Sequence, residues 1–472
     1  MSALKRARDD EPGTDGAGGA PSPPPTRHAK PPPPPPPLAD DEDIAYERRL
    51  KLTDVIGFVA LNGYAREAAR CAGLCRETWR CIPAGLSAAD ADRVRRDHPL
   101  WQASVDLGYS EWKIPRLCMA AHCGRVAIVR ELCDWRADVE AADIDGRTPL
   151  YYASRYGSLY VVRELLARGA NIEAATNDGR TSLFVASQNG QLHVVRELLA
   201  SGANIEAAIN DGRTSLYVAS SSGHLDVVRE LLARGANIEA AMNEGWTSLL
   251  MASQEGHLDI VRELLAGGAN TEAAMNGGVT SLFIASHEGY LDVVRELLAR
   301  GANIEVVADD GWTSLLIASQ EGHPDVVREL HAHGANIEAA MNEGATSLHI
   351  ASQENHLDVV REFLARGANI EAAMNDGATS LFVASRNGHI EVVRELLARG
   401  ANVNAATNSG DTPLILASSF GLVEVVRALL AAGADKQHVA NDGETATSLA
   451  GTDDDAPPGS RAAILALLAA AP

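Results

Sequence analysis

The stretch Asp145-Gly146-Arg147-Thr148-Pro149-Leu150 decides the fold, because close copies of it recur along the rest of the chain. It returns as Asp-Gly-Arg-Thr-Ser-Leu at 178–183 and again at 211–216. The later copies begin at Glu244, Gly277, Asp310, Glu343, Asp376, Ser409 and Asp442. Each copy follows the previous one by 33 residues, without insertion or deletion. A fixed period of this length predicts a repeat protein, in which each unit buries its apolar face by stacking on its neighbours.

One repeat unit reads as a tight turn followed by two short helices. Asp-Gly favours the turn, since glycine adopts a positive φ at low cost, and Thr148 is a good N-cap for the first helix. Gly157 ends that helix, and its column is glycine in every regular unit except the one with Asn355. Asparagine is the next most tolerant residue in the left-handed region, as a helix C-terminus requires. Apolar residues within 161–166 then predict a second helix, which ends at Gly169.

This pattern resembles the ankyrin repeat, which is a β-turn followed by two antiparallel helices. The resemblance covers residues 112–472 and rests on Asp-Gly-x-Thr-Pro/Ser-Leu, Gly-His-Leu-Asp-Val-Val and Leu-Leu-Ala-x-Gly-Ala-Asn. It implies an all-α solenoid of about 11 units of 33 residues. We expect an N-terminal capping unit at 112–144, nine regular units at 145–441, and a C-terminal capping unit at 442–472 that carries an acidic insertion.

Residues 1–43 are rich in Pro, Gly, Ala and Asp, and include the unbroken run Pro31 to Pro37. Proline fixes φ and removes the amide donor, so we expect polyproline II conformation within a disordered tail. The run is either a stiff spacer or a ligand for an aromatic groove of the SH3, WW or profilin kind.

The segment 44–111 lies outside the 33-residue pattern and has its own helical spacing of apolar residues. Together with Leu74-Cys75-Arg76 and Trp79-Arg80, it resembles an F-box, a three-helix motif. It departs from that family in having Leu52-Thr53 for Leu-Pro, and one extra residue between Cys75 and Trp79. The resemblance implies docking on the Skp-type adaptor of a cullin-RING ubiquitin ligase. The residues that would contribute to these helices and to docking are Leu52, Val55, Ile56, Val59 and Trp79. The alternative is a helical extension that caps the apolar end of the solenoid.

Two columns of each unit vary, namely the turn tip and the end of the first helix. In ankyrin proteins these columns line the concave face that contacts a partner protein, so we take their members as candidate binding residues. These are Arg147, Arg155, Tyr156, Arg180, Arg213, Trp246, Glu255, Glu288, Trp312, Glu321, Glu354 and Phe420. The hypothesis is that Trp246 and Trp312 are exposed interface anchors, since tryptophan is enriched at binding hot spots. The alternative is sequence drift on an unconstrained surface after duplication.

Two other columns keep the same residues in five of the nine regular units and are therefore interpreted as structural. Glu164 and Arg168, with four equivalent pairs, form an i, i+4 ion pair on the second helix. A histidine column at the junction between the helices, His224 being its first member, resembles the structural histidine of ankyrin repeats.

Nothing in the sequence favours an enzyme. The six cysteines contain no Cys-x-x-Cys pair, and no phosphate-binding loop or nucleophile elbow occurs, so we expect no catalytic, metal or cofactor site.

A net charge of −22 argues against nucleic acid and anionic membranes as ligands. No secretory signal is visible, and the longest apolar run, 462–471, is too short to span a bilayer. The sequence therefore predicts a cytoplasmic or nuclear protein-binding protein. Its role is either that of an F-box substrate receptor or that of a scaffold with no ubiquitin link.

Overall fold

The structure, a computed structural model, describes residues 115–454 and 456–470. Every described residue belongs to one compact unit, 87–472. The predicted tail (1–43) and the F-box-like segment (44–111) lie outside the described residues. The described part contains 21 α-helices and six isolated β-bridges, so the all-α prediction is confirmed there. None of these helices is both long and apolar enough to cross a lipid bilayer.

The helices alternate between two sets. The first helices of the units are α1 (Arg116–His122), α3 (Pro149–Arg155), α5 (Ser182–Gln188), α7 (Ser215–Ser221), α9 (Ser248–Gln254), α11 (Ser281–Glu288), α13 (Ser314–Gln320), α15 (Ser347–Gln353), α17 (Ser380–Arg386) and α19 (Pro413–Ser419). The second helices are α2 (Val126–Asp134), α4 (Leu159–Ala167), α6 (Leu192–Ala200), α8 (Leu225–Ala233), α10 (Leu258–Ala266), α12 (Leu291–Ala299), α14 (Pro324–Ala332), α16 (Leu357–Ala365), α18 (Ile390–Ala398), α20 (Val423–Ala431) and α21 (Ser460–Ala470).

Local sequence explains where the first helices begin and end. Thr148 is the N-cap of α3, and its hydroxyl accepts a hydrogen bond from the amide of Tyr151 at 3.3 Å. The same threonine cap recurs in seven of the other eight regular units. Gly157 follows α3 with φ of 72°, and Asn355 occupies the same place with φ of 61°. The predicted left-handed position is therefore confirmed, including its one exception.

The core lies between the two helix sets and continues from unit to unit. Each first helix packs against the first helices of the neighbouring units and against its own second helix. Leu150, Ala153, Val161 and Leu165 are at most 1% exposed, and their equivalents are buried in the same way. Stacking therefore gives each short helix pair an apolar environment that it could not form alone.

An arginine–glutamate ladder runs along the second helices. The predicted i, i+4 pair is confirmed, since Arg168 Nε lies 3.0 Å from Glu164 Oε1. Sequence reasoning missed a second set that links neighbouring units, in which Arg163 Nε donates to Glu197 Oε2 at 2.9 Å. The equivalent pairs recur at a separation of 34 residues from α2 to α18. These pairs are solvated, so each one contributes little to the stability of the stack.

The turns are also joined from unit to unit. The amide of Asn177 donates to the Asp145 carbonyl at 2.9 Å, and this bond recurs along the stack. The amide of Asn171 donates to Glu140 Oε1 of the previous unit at 2.7 Å, and that bond recurs as well. These bonds fix the spacing of the turns because they satisfy backbone donors that the short helices leave free.

The last unit differs from the others in its first half. Residues 445–451 form turns in place of a first helix, although Ala446 and Ala450 are at most 1% exposed. The chain then continues through the acidic insertion to α21, whose Ile464 and Leu468 are buried. The end of the stack is thus covered by one helix rather than by two.

Candidate functional site

The candidate site is the surface formed by the turn tips and the exposed ends of the first helices, which we call the turn face. Turn and first helix contact each other directly. The Tyr152 hydroxyl donates to Asp143 Oδ2 at 2.7 Å, and Arg180 Cζ lies 6.0 Å from the centroid of the Phe184 ring. The arginine–glutamate ladder lies on the second helices and takes no part in this face.

The three turn arginines among the predicted binding residues do not present free charge. Arg147, Arg180 and Arg213 each pair with the aspartate two residues earlier in the same turn, at 3.1, 2.8 and 2.6 Å. Each is also partly buried, with 37%, 19% and 28% of its side chain exposed. The charge of each arginine is therefore matched within its own turn.

The expectation that Trp246 is an exposed anchor is wrong, because its side chain is 0% exposed. Ala345 and Ala378 in the same column are also buried, at 8% and 3%. Trp312 in the same column packs against the small apolar cluster of Leu316, Ala345 and Ile350, so a large side chain at this position finds apolar neighbours within the stack. The turn-tip column thus fills space beneath the turns, and Trp312 remains only partly exposed.

A methionine column accompanies these residues and was missed by sequence reasoning. Met341 and Met374 pack against the small apolar cluster around Trp312, and Met374 also packs against Phe382. Met275 is 4% exposed. Recurrence of methionine in the Ala-Met-Asn motif at 33-residue spacing was the available clue. Because this methionine lies two residues before the turn, its position in the sequence indicated a loop residue rather than a core residue.

The column at the end of the first helices is the part of the face that does reach solvent. Glu255 and Glu354 are exposed, whereas Glu321 and Phe420 are half-buried. Glu288 Oε1 lies 3.1 Å from His287 Nδ1.

The first regular unit offers a separate aromatic patch on the turn face. Tyr156 is 46% exposed and lies 4.1 Å from the ring of His122, centroid to centroid. Arg155 Cζ lies 5.8 Å from the centroid of the Tyr156 ring. Burial and the nearby Arg155 charge lower the pKa of His122, so the His122 ring is uncharged at neutral pH.

The histidine column has the structural role that its resemblance implied. His224 Nε2 lies 3.1 Å from the Gln188 carbonyl, at the C-terminus of the previous unit's first helix. The equivalent histidines make the same contact at 2.8–3.0 Å. Each ring therefore satisfies a helix-end carbonyl across the interface between two units.

No group of three His, Cys, Asp or Glu side chains that could hold a metal ion occurs among the described residues. Burial raises the pKa of Cys118 and Cys123, which leaves both thiols protonated and unreactive at neutral pH.

The repeats match a known protein family. The family described as "Ankyrin repeats (3 copies)" matches residues 104–176, 169–242, 235–308, 282–374 and 362–440, more than half of the chain. The chain belongs to the ankyrin-repeat family. The solved ankyrin-repeat domain of human ASB11 is 28% identical, with a TM-score of 0.44, and the match covers 47% of this chain and 98% of that one. No curated protein matches. The ankyrin fold is a non-catalytic fold for protein–protein interaction, and the chain shares that role.

One ankyrin unit contains a buried histidine in place of the usual apolar residue. His349 is 2% exposed, and its Nδ1 accepts a hydrogen bond from the Thr346 amide at 3.2 Å. Its Nε2 lies 3.2 Å from the Ala378 carbonyl, so the ring is neutral with its proton on Nε2. Burial lowers the pKa of His349, although the negative charges of Asp376 and Glu338 oppose the shift.

We expect the free energy of unfolding to decrease as the pH falls below about 6.5, the ordinary pKa of histidine. The unfolded chain then binds a proton at His349 that the folded chain does not, so stability is lost until the pH reaches the folded pKa. His349→Phe, which introduces the residue found at Phe382, should remove this part of the dependence. Urea unfolding of both proteins at pH 7.5 and pH 5.5 measures it. His122 is present in both proteins, so its contribution to the pH dependence cancels when the two are compared. A stability difference between them that does not change with pH would contradict the expectation.

Proposed function

We propose that the turn face holds a partner protein, and that the chain delivers this partner to a cullin-RING ubiquitin ligase as its substrate receptor. In this proposal, residues 44–111 dock on a Skp-type adaptor and the ankyrin units select the substrate. The tail 1–43 is a spacer, and the capping units at 112–144 and 442–472 close the stack. Such a role belongs in the cytoplasm or the nucleus.

The observation that carries the binding proposal is the difference between the two sides of the stack. On the second helices, nearly the same arginine and glutamate recur and pair with each other in almost every unit. On the turn face, the column at the ends of the first helices changes from Tyr156 through Glu255 to Phe420. Side chains that stabilise the stack must recur, whereas side chains that recognise a partner are free to differ.

Among the predicted contact residues, those at the ends of the first helices fit the proposal best. Tyr156, Glu255 and Glu354 are exposed, and Trp312 is partly exposed. Trp246 supports the face from below, and the three turn arginines serve mainly their own turns.

The adaptor part of the proposal is supported by sequence alone, through the Leu-Cys-Arg element at 74–76 and Trp79-Arg80. The second candidate is an ankyrin scaffold that holds its partner without any ubiquitin link. The same turn face favours this scaffold equally, since its chemistry does not depend on residues 44–111.

Adaptor binding by the full chain separates the two candidates. We expect the wild-type chain to co-precipitate a purified Skp-type adaptor, and Val55→Asp with Ile56→Asp to abolish the interaction by placing charge in the proposed docking helix. Ile128→Asp is the matched control, because Ile128 is 45% exposed on α2. Far-UV circular dichroism checks that the repeats remain helical. Absence of adaptor binding by the wild-type chain would leave the scaffold.

A further inference from the structure

The first described unit keeps apolar residues at positions that face away from the rest of the stack. Ile128 of α2 is 45% exposed, whereas its column is at most 2% exposed in each of the nine regular units. Met119 of α1 is 44% exposed, whereas its column is at most 7% exposed in eight of those nine units. Each regular unit has a described unit before it, and the first unit does not. The preceding unit therefore covers these two columns. The column of Ile128 continues with Val161, Val194, Val227, Ile260, Val293, Val326, Val359, Val392 and Val425.

The turn of the same unit extends this apolar surface. Side chains at the position of Asn177 reach back to the previous unit, since Asn177 Nδ2 donates to the Ile144 carbonyl at 3.0 Å. The residue is asparagine in eight of the nine regular turns, but in the first unit it is Ile144, which is 60% exposed. Isoleucine cannot donate this hydrogen bond, so it suits an apolar neighbour better than another regular turn. We call Met119, Ile128 and Ile144 the outer surface.

An apolar outer surface is unusual at the end of a stack of repeats. Terminal repeats carry a polar outer face, because no further unit covers them. At the C-terminal end, α21 packs against α20 as a cover. Among the described residues, the N-terminal end has no equivalent cover, so the capping unit at 112–144 does not close the stack by itself.

The chain that leads into α1 is the occupant nearest to the outer surface. Residues 87–111 are joined to the described stack by residues 112–115, which span at most about 14 Å when extended. Packed helices lie about 8–10 Å apart, so this connection is long enough for 87–111 to reach the surface. The same residues belong to the compact unit 87–472 that contains the repeats. They supply the apolar residues Val94, Leu100, Trp101, Val105 and Leu107.

A second copy of the chain is a less suitable occupant. Each copy carries a net charge of −22, so two copies repel each other before any apolar contact forms. The preceding segment has no such barrier, because it is already tethered beside the surface.

We propose that residues 87–111 pack on the outer surface through Leu100 and Trp101 and form one more layer of the stack. The packing stands without the proposed function, and only its consequence for the ubiquitin ligase rests on that function. The proposed adaptor-docking residues end at Trp79, so seven residues, 80–86, connect them to this layer. Such a connection spans at most about 25 Å and keeps a bound substrate within a short distance of the adaptor.

Hydrogen–deuterium exchange of the full chain, measured by mass spectrometry, tests the packing. In the wild type, we expect the amides of 87–111 to exchange at least about tenfold more slowly than those of an unstructured peptide. Ile128→Asp places a charge in the apolar contact and should accelerate the exchange of 87–111 about tenfold or more.

Tyr160→Asp is the matched control, because Tyr160 is 46% exposed on α4 and aspartate occupies its column in five later units. It should leave the exchange of 87–111 within about twofold of the wild type. A second variant, Leu100→Asp with Trp101→Asp, approaches the contact from the other side and changes no described residue. It should accelerate the exchange of α1 and α2 about tenfold, which keeps the test decisive if Ile128→Asp fails to fold.

Three results would overturn the inference. They are unprotected amides at 87–111 in the wild type, equal exchange of this segment in Ile128→Asp and Tyr160→Asp, and protection that appears only as the chain dimerises. Analytical ultracentrifugation over a range of concentrations detects the dimer, and that result would identify a second copy as the cover.

Adaptor binding is measured separately. Ile128→Asp should retain adaptor binding, because the proposed docking residues end at Trp79. A wild-type chain that protects 87–111 but binds no adaptor would keep the packing and remove the ligase role. Adaptor binding with unprotected 87–111 would have the opposite meaning.

Discussion

Replacing Trp246 by alanine is expected to lower the free energy of unfolding by about 3–5 kcal/mol, the range for truncating a fully buried large aromatic residue. The indole is 0% exposed, and alanine would leave a cavity beneath the turn. The backbone of this column accepts alanine, as Ala345 and Ala378 show, so the loss measures packing rather than turn geometry. Urea denaturation followed by far-UV circular dichroism gives the value.

Trp312→Ala is the matched control, since Trp312 occupies the same column but is only partly buried. We expect a smaller loss from Trp312→Ala, because less apolar area is removed from a packed environment. If Trp246→Ala unfolded at the same urea concentration as the wild type, the side chain would have to lie in solvent. The original hypothesis of an exposed anchor would then be restored.

A second large loss is expected at Gly190, where alanine should cost about 2–5 kcal/mol of unfolding free energy. The residue has φ of +68°, which costs an L-residue about 1–2 kcal/mol. A Cβ atom would also lie 2.7 Å from Nδ1 of His224, and displacing that ring adds about 1–3 kcal/mol. The displaced ring would lose its contact with the Gln188 carbonyl.

The same repeat supplies the control for this prediction. Gly202 has φ of +92°, but a Cβ atom there would meet nothing within 4 Å. Gly202→Ala should therefore show the backbone cost alone. Adding His224→Ala to Gly190→Ala should recover part of the loss by removing the clash. Equal losses from the two glycine variants would show that the histidine ring moves aside freely.

Much of this fold could be predicted because each recurring residue serves a local purpose that its chemistry reveals. Thr148 caps a helix, Gly157 ends one, and Leu165 fills the core; each purpose follows from a few neighbouring residues. His224 also has the structural role that was expected. Its ring packs closely against Gly190 of the previous unit, and the histidine and glycine columns recur together along the chain.

The candidate face was harder to predict, because exposure depends on what the following unit covers. The position of Trp246 differs in residue type from unit to unit, as is typical of a surface position. The Trp246 side chain is nevertheless fully buried. The bond from Arg163 to Glu197 joins residues 34 apart, and i, i+4 reasoning within one helix cannot find it. The sequence identifies the charged side chains. Only the stacked structure shows which of these side chains pair with each other and which can contact a partner protein.

Three sets of bonds connect each unit to its immediate neighbours. They are the backbone bonds between turns, the bonds from a backbone amide to a glutamate of the previous unit, and the arginine–glutamate ladder. A gene rearrangement that inserts or removes one 33-residue module would thus join surfaces that already match. Unequal crossing-over can lengthen or shorten the binding surface in whole steps without loss of folding. Point mutations at the ends of the first helices can then adjust each added step to a new ligand.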